Sequence, residues 1–153
     1  TGGGGHNKME DIMHHRTFIN LPVKDLSRSL KFFTDLGFAL DNRYRDDNGG
    51  CVVLNEGSFV MLLVYDFFRS FTKRPIPDTV GMSGQIIAMQ LDSREAVDVL
   101  GRRADLAGAT HGDTVEETSW MYVRRLADLD GPIWEFFYMD EKAALEQADA
   151  HKN

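Results

Sequence analysis

The feature that most constrains this chain is that it is written twice. Residues 17–66 read as a strand, a helix and three strands, and residues 85–140 repeat that order. Each copy opens on a short apolar strand, FINLPV at Phe18–Val23 and IIAMQL at Ile86–Leu91, and an aspartate follows at once, Asp25 or Asp92. A helical pattern then runs to a glycine, Gly37 in the first copy and Gly108 in the second. Each copy closes on a tight turn and an apolar strand, over Asn55–Tyr65 and over Asp128–Met139. A unit of this size cannot bury its sheet alone, so the copies are expected to pack together and enclose a space. That space is where function is expected.

In the first helix, from about Leu26 to Leu36, the residues Leu26, Leu30, Phe33 and Leu36 recur at helical spacing and form one apolar face. Asp25 stands where a cap is needed, and Gly37 can take the left-handed geometry that ends a helix. The second helix is expected over Ser93–Ala107, with Val97, Leu100, Ala104 and Ala107 as its buried stripe. Asp92 and Glu95 have capping-box spacing there. The organisation that follows is a flexible glycine-rich tail over residues 1–16 and a single domain over 17–140. The domain holds modules at 17–66 and 85–140 joined by a linker at 67–84, and residues 141–153 form a helical tail. The linker carries Phe67, Phe68 and Phe71 ahead of Pro75 and Pro77. DFFRSF fits one helical turn, and the prolines impose extended chain after it. Three phenylalanines in a linker are expected to cover a core edge, a dimer surface or a cavity mouth.

A net charge of −7 argues against a nucleic-acid partner, since phosphate contacts need an excess of Lys and Arg, and it leans towards cationic ligands. With 42% hydrophobic residues and 10 Phe the chain can build a real core. The single cysteine, Cys51, excludes an internal disulfide and suits a reducing compartment. No apolar run reaches membrane-spanning length, so a cytoplasmic protein with no membrane partner is expected. The sequence holds no phosphate loop, no CxxC pair and no nucleophile elbow. Cys51 opens a strand with no histidine at a defined spacing, which marks it as a packing residue.

LPVKDLSRSLKFFTDLGFAL at 21–40 and DLDGPIWEFFYMD at 128–140 together resemble the opening and closing motifs of the vicinal oxygen chelate superfamily. That superfamily groups glyoxalase I, bleomycin-resistance proteins and extradiol dioxygenases. The resemblance implies an α+β fold of two tandem βαβββ modules forming a curved, partly closed mixed sheet of the glyoxalase/bleomycin-resistance kind. It also implies a homodimer and, in the enzymes, a divalent metal held by the first and last strand of each module. Tested one at a time, the four ligand positions fall on Phe18, on Ile86, on Met61 or Leu62, and on Glu135. Only the last can bind a metal, and a usable site needs about three or four protein ligands. The histidines do not repair it. His6, His14 and His15 precede the first strand, His111 falls where a loop is expected, and His151 is in the tail.

Alternation along strands puts Asn20 and Pro22 on the face of Phe18, Ala88 and Gln90 on that of Ile86, and Ile133, Phe137 and Met139 on that of Glu135. The expected ligand-binding set is Phe18, Asn20, Ile86, Gln90, Tyr122, Arg124, Glu135 and Phe137. That set suits a small-molecule pocket and equally a filled barrel interior. Glu135 itself has two readings. If Ala127 pairs with Pro132, Arg124 stands opposite Glu135 and the two form a cross-strand ion pair; otherwise Glu135 faces a ligand. The favoured function is a small-molecule binding protein with an apolar cavity and neither metal nor other cofactor. The alternative is a metal-dependent glyoxalase-like lyase, isomerase or dioxygenase with an atypical site that includes Glu135. A regulatory or structural module without catalysis is the third reading, and whether the chain is an enzyme stays open.

Overall fold

The computed structural model describes residues 15–152. The first module is β1 (Thr17–Val23), α1 (Leu26–Leu36), β2 (Ala39–Leu40), β3 (Gly49–Asn55) and β4 (Ser58–Val64). A short helix α2 (Tyr65–Arg69) opens the linker. The second module is β5 (Ile86–Gln90), α3 (Arg94–Leu106), β6 (Thr110–Glu117), β7 (Met121–Ala127) and β8 (Ile133–Met139), followed by α4 (Glu141–Ala150). His111 therefore stands in a strand, not in the loop expected of it. His6 and His14 lie outside the described residues.

The modules form two separate four-stranded mixed sheets, in the orders β1-β4-β3-β2 and β5-β8-β7-β6. The expected single, partly closed sheet is thus corrected to two open ones. In each, the first strand pairs in parallel with the last: Phe18 lies beside Phe59 and Asn20 beside Met61, while Ile86 lies beside Ile133 and Ala88 beside Glu135. Counted from the turn glycines Gly57 and Gly131, these registers match. Phe18 and Ile86 are equivalent positions, and so are Met61 and Glu135.

The helix ends follow their local chemistry. The Asp25 carboxylate accepts from the Arg28 N–H, and Gly37 closes α1 at φ +107°. In α3 the cap is Ser93, whose hydroxyl accepts from the Ala96 N–H, and not Asp92 as expected. Ser93 holds the extended backbone that a cap requires, one residue nearer the helix.

Position of the core decides where function can lie. One continuous cluster joins Leu30, Phe32, Phe33 and Leu36 of α1 to Val97 and Ala104 of α3. It takes in Leu21, Val52, Val60 and Leu62 from one sheet and Ile87, Leu126, Trp134 and Phe136 from the other. Phe33 meets the Trp134 ring at 5.1 Å across the module boundary. All these strand residues share the helix side of their sheets. The modules therefore pack helix side to helix side and do not enclose a space between them as expected. The opposite, open face of each sheet carries Phe18, Asn20, Ile86, Gln90 and Glu135, and none of these enters the core cluster.

A second correction concerns the closing hairpin. Ala127 pairs with Ile133, not with Pro132, because the turn takes five residues with Gly131 at φ +105°. Asp128 N–H donates to the Pro132 carbonyl at 3.0 Å. Proline has no N–H to return, so it cannot sit in the ladder as Ala127's hydrogen-bonded mate. Glu135 consequently faces Arg125, and Arg124 faces Phe136.

Candidate functional site

The open face of the first sheet is built from Phe18, Asn20 and Pro22 of β1, Phe59, Met61 and Leu63 of β4, and Cys51 of β3, which lies beside Met61. No core helix covers this side, yet Phe59, Leu63 and Cys51 are buried. At one end Phe18 stacks on Phe59, with ring centroids 4.9 Å apart and planes 17° from parallel. The Arg16 guanidinium lies over both rings, at 5.5 and 5.9 Å. At the other end α2 folds back over β1 and β4. A cavity of about 210 Å³ stays open there, lined by Asn20, Met61, Leu63, Phe67, Phe68 and Phe71. The linker phenylalanines Phe67, Phe68 and Phe71 form one wall of it. Cys51 is a packing residue, and burial pushes its thiol pKa up, away from nucleophilic use.

The open face of the second sheet has a different character. Ile86, Ala88 and Gln90 are exposed along β5, with Ile86 at 54%. Beside them Arg125 is the centre of an ionic ladder. Its Nε donates to Glu135, and its Nη1 and Nη2 donate to Glu116 at 2.6 and 3.1 Å. Those bonds hold the Glu116 carboxyl below its usual range. Phe137 shares this face through its pairing with Val123.

Of the expected site residues, then, Phe18 and Asn20 lie on one open face and Ile86, Gln90, Glu135 and Phe137 on the other. Tyr122 and Arg124 lie on neither. The shift in hairpin register turns both to the helix side, where the Tyr122 hydroxyl donates to Asp98 at 2.5 Å and Arg124 pairs with Asp105. The Asp98 carboxylate raises the Tyr122 pKa by accepting its proton in a hydrogen bond. Sequence reasoning missed Leu63 as a lining residue and chose Arg124 where Arg125 faces Glu135. The Pro132 that fixes this register was the available signal.

The metal implied by the fold family can be tested against these side chains. At the four equivalent strand positions stand Phe18, Met61, Ile86 and Glu135, three of which offer no suitable donor. The fourth is engaged by a guanidinium. Among the described residues no three His, Cys, Asp or Glu side chains come together as a metal site would require. The donor set does not fit such an ion.

Comparison with known proteins agrees with this architecture. Residues 16–57 match the family model described as bleomycin resistance protein-like N-terminal. A hypothetical protein from S. aureus superposes with a TM-score of 0.72 at 23% identity, covering 86% of this chain and 99% of that one. A glyoxalase-related enzyme from Fulvimarina pelagi gives 0.69 at 20% identity, covering 82% and 88%. A bleomycin resistance determinant encoded on the transposon Tn5 gives 0.56 at 16% identity, covering 82% and 98%. No curated protein matches. The fold is that of the glyoxalase/bleomycin-resistance proteins. One fold hosts many chemistries, so this likeness gives the architecture and leaves the reaction to the residues on the open faces. None of the helices described here is long and apolar enough to cross a membrane.

Proposed function

We propose that this chain is a metal-independent, cytoplasmic small-molecule binding protein that holds its ligand against the open sheet faces and completes the site as a homodimer. The observation that carries the reading is the chemistry at the four equivalent strand positions. Phe18, Met61 and Ile86 supply apolar surface where a metal enzyme of this fold needs donors, and Glu135 is paired with Arg125. Apolar walls with a few polar points suit binding rather than Lewis-acid catalysis. The core occupies the helix side of both sheets, so the open face of one module can meet that of a partner subunit without disturbing either fold. Exposed Phe18 and Ile86, on the two faces, are the apolar surface such a contact would bury.

The test pairs binding with metal content. Protein purified in chelator is titrated with metal-free bleomycin, chosen because one structural neighbour is a bleomycin resistance determinant, and its sedimentation is followed at micromolar concentration. Saturable binding by a metal-free dimer is expected. A stoichiometric, tightly held metal would overturn the reading, above all with turnover of the glutathione–methylglyoxal hemithioacetal that vanishes in Glu135→Ala. It would favour the metal-dependent lyase instead.

A further inference from the structure

The duplication supplies its own control. In both modules a helix follows the last strand, α2 after β4 and α4 after β8. The two helices differ in one respect that bears on ligands. The segment after β4 reads YDFFRSF and sets Phe67, Phe68 and Phe71 around a cavity, whereas α4 reads EKAALEQADA and has no aromatic residue. The second module folds without such a wall. The repeated unit does not in itself call for the phenylalanines, and only the first module carries them.

From the lining of this cavity we infer that it is a binding subsite for an uncharged aromatic ring bearing one hydrogen-bonding group, seated between the phenylalanines of the linker and Met61 and Leu63 of β4, with its polar group on the Asn20 side-chain amide. This inference rests on the binding-protein reading and names the ligand class within it. No charged side chain lines the cavity. A charged group would give up part of its hydration there and recover only one amide contact. Asn20 is the only polar side chain in the lining, and its amide, on an exposed residue, bonds to no other described residue and stays available to a ligand. An amide both donates and accepts, so it can meet a hydroxyl, a carbonyl or a ring nitrogen. Phe67 and Phe71 already form an edge-to-face pair at 5.1 Å, which presents aromatic surface to a third ring. Met61 supplies an adaptable, polarizable contact on the strand side. The volume of about 210 Å³ suits one or two fused rings and not a whole large drug.

Calorimetric titration of the full chain with 2-naphthol, naphthalene and naphthalene-2-sulfonate tests this. Expected is one saturable site for 2-naphthol with a Kd on the order of 100 µM. Naphthalene should bind more weakly, and the sulfonate at least tenfold more weakly than 2-naphthol. Asn20→Ala should weaken 2-naphthol about tenfold and leave naphthalene unchanged, a split that general misfolding cannot produce. Phe68→Ala should weaken both, with thermal unfolding confirming that the variant is folded. Leu145→Ala on α4 should change nothing. The inference is overturned by no saturable binding of 2-naphthol up to millimolar concentration, by equal affinity for the sulfonate, or by affinities that ignore Phe68→Ala. It is overturned equally if Phe68→Ala dissociates a dimer while leaving 2-naphthol binding intact, because a second copy then fills the cavity. Bleomycin binding without 2-naphthol binding removes the subsite alone, and the reverse removes the resistance-like reading alone.

Discussion

Ser29 in the first module donates its hydroxyl to Oδ2 of Asp130 in the second, 2.7 Å away, and both residues are buried. The other oxygen of Asp130 accepts from the backbone N–H of Lys24 at 2.9 Å, and its carbonyl accepts from the Thr79 hydroxyl of the linker. The closing D-L-D-G turn is therefore a fastener between modules as well as a hairpin. Removing one partner leaves a buried acceptor unsatisfied, which costs more than the bond itself contributes.

Ser29→Ala should destabilise the chain by about 1–3 kcal/mol, and Asp130→Ala by more, because it loses contacts to Ser29 and Lys24 together. Urea unfolding of both singles and the double variant should show the Ser29 effect largely absent once Asp130 is gone. Independent, additive effects would mean that the fastener does not act as one unit.

The same turn makes stability depend on pH in an unusual direction. Asp128 is buried, accepts from Trp134 Nε1 at 2.9 Å and from the Asp130 N–H, and burial pushes its carboxyl up to about 6. The folded value lies above the unfolded value of about 3.8–3.9, so the charged form is disfavoured in the folded state. Its contribution to stability is least favourable above pH 6 and improves as pH falls towards 4. Between pH 7 and pH 5 the wild-type chain should gain about 1 kcal/mol from this group, and Asp128→Asn should lose that gain. Guanidinium unfolding at the two pH values measures it, and identical pH responses would refute it.

Arg124 and Gly101 are coupled across the helix side of the second sheet. A Cβ on Gly101 would lie 2.3 Å from Nη1 and 2.4 Å from Cδ of Arg124, so the glycine makes room for the side chain on its way to Asp105. Gly101→Ala alone should destabilise despite the better helix propensity of alanine. In an Arg124→Ala background the same change should stabilise by up to about 1 kcal/mol. An unchanged sign in the two backgrounds would show that the Arg124 side chain moves aside freely.

The order of elements was legible because strand alternation and terminal glycines are local signals, as FINLPV and Gly37 show. Equivalence of Phe18 with Ile86 was legible because the repeat supplies two readings of one position. Which sheet faces meet was not legible. SFVMLLV is apolar on both sides, and the choice is made by Phe33 of one module meeting Trp134 of the other, positions far apart in the chain. Arg124 was chosen over Arg125 for a similar reason. Adjacent arginines differ only in face, and a turn longer by one residue exchanges them. The role of Asp130 was hidden because its partners Lys24 and Ser29 lie about a hundred residues away.

The metal-deficient strand positions allow a constructive test of the dimer. Phe18→His, Met61→Glu and Ile86→His together with native Glu135 would place four donors at the equivalent positions of the two parallel ladders. Two of the donors stand on each open face, and within one chain the shared core lies on the other side of both sheets. A complete tetrahedral set is then available only where the first module of one subunit meets the second module of its partner. Zinc should therefore shift this variant towards dimer in sedimentation, and adding Arg125→Leu should strengthen the effect by releasing Glu135 from its ion pair. Wild-type protein should show no zinc-dependent shift. If the triple variant binds one zinc tightly as a monomer, the two open faces must meet within a single chain, and the proposed arrangement of the site across two subunits is wrong.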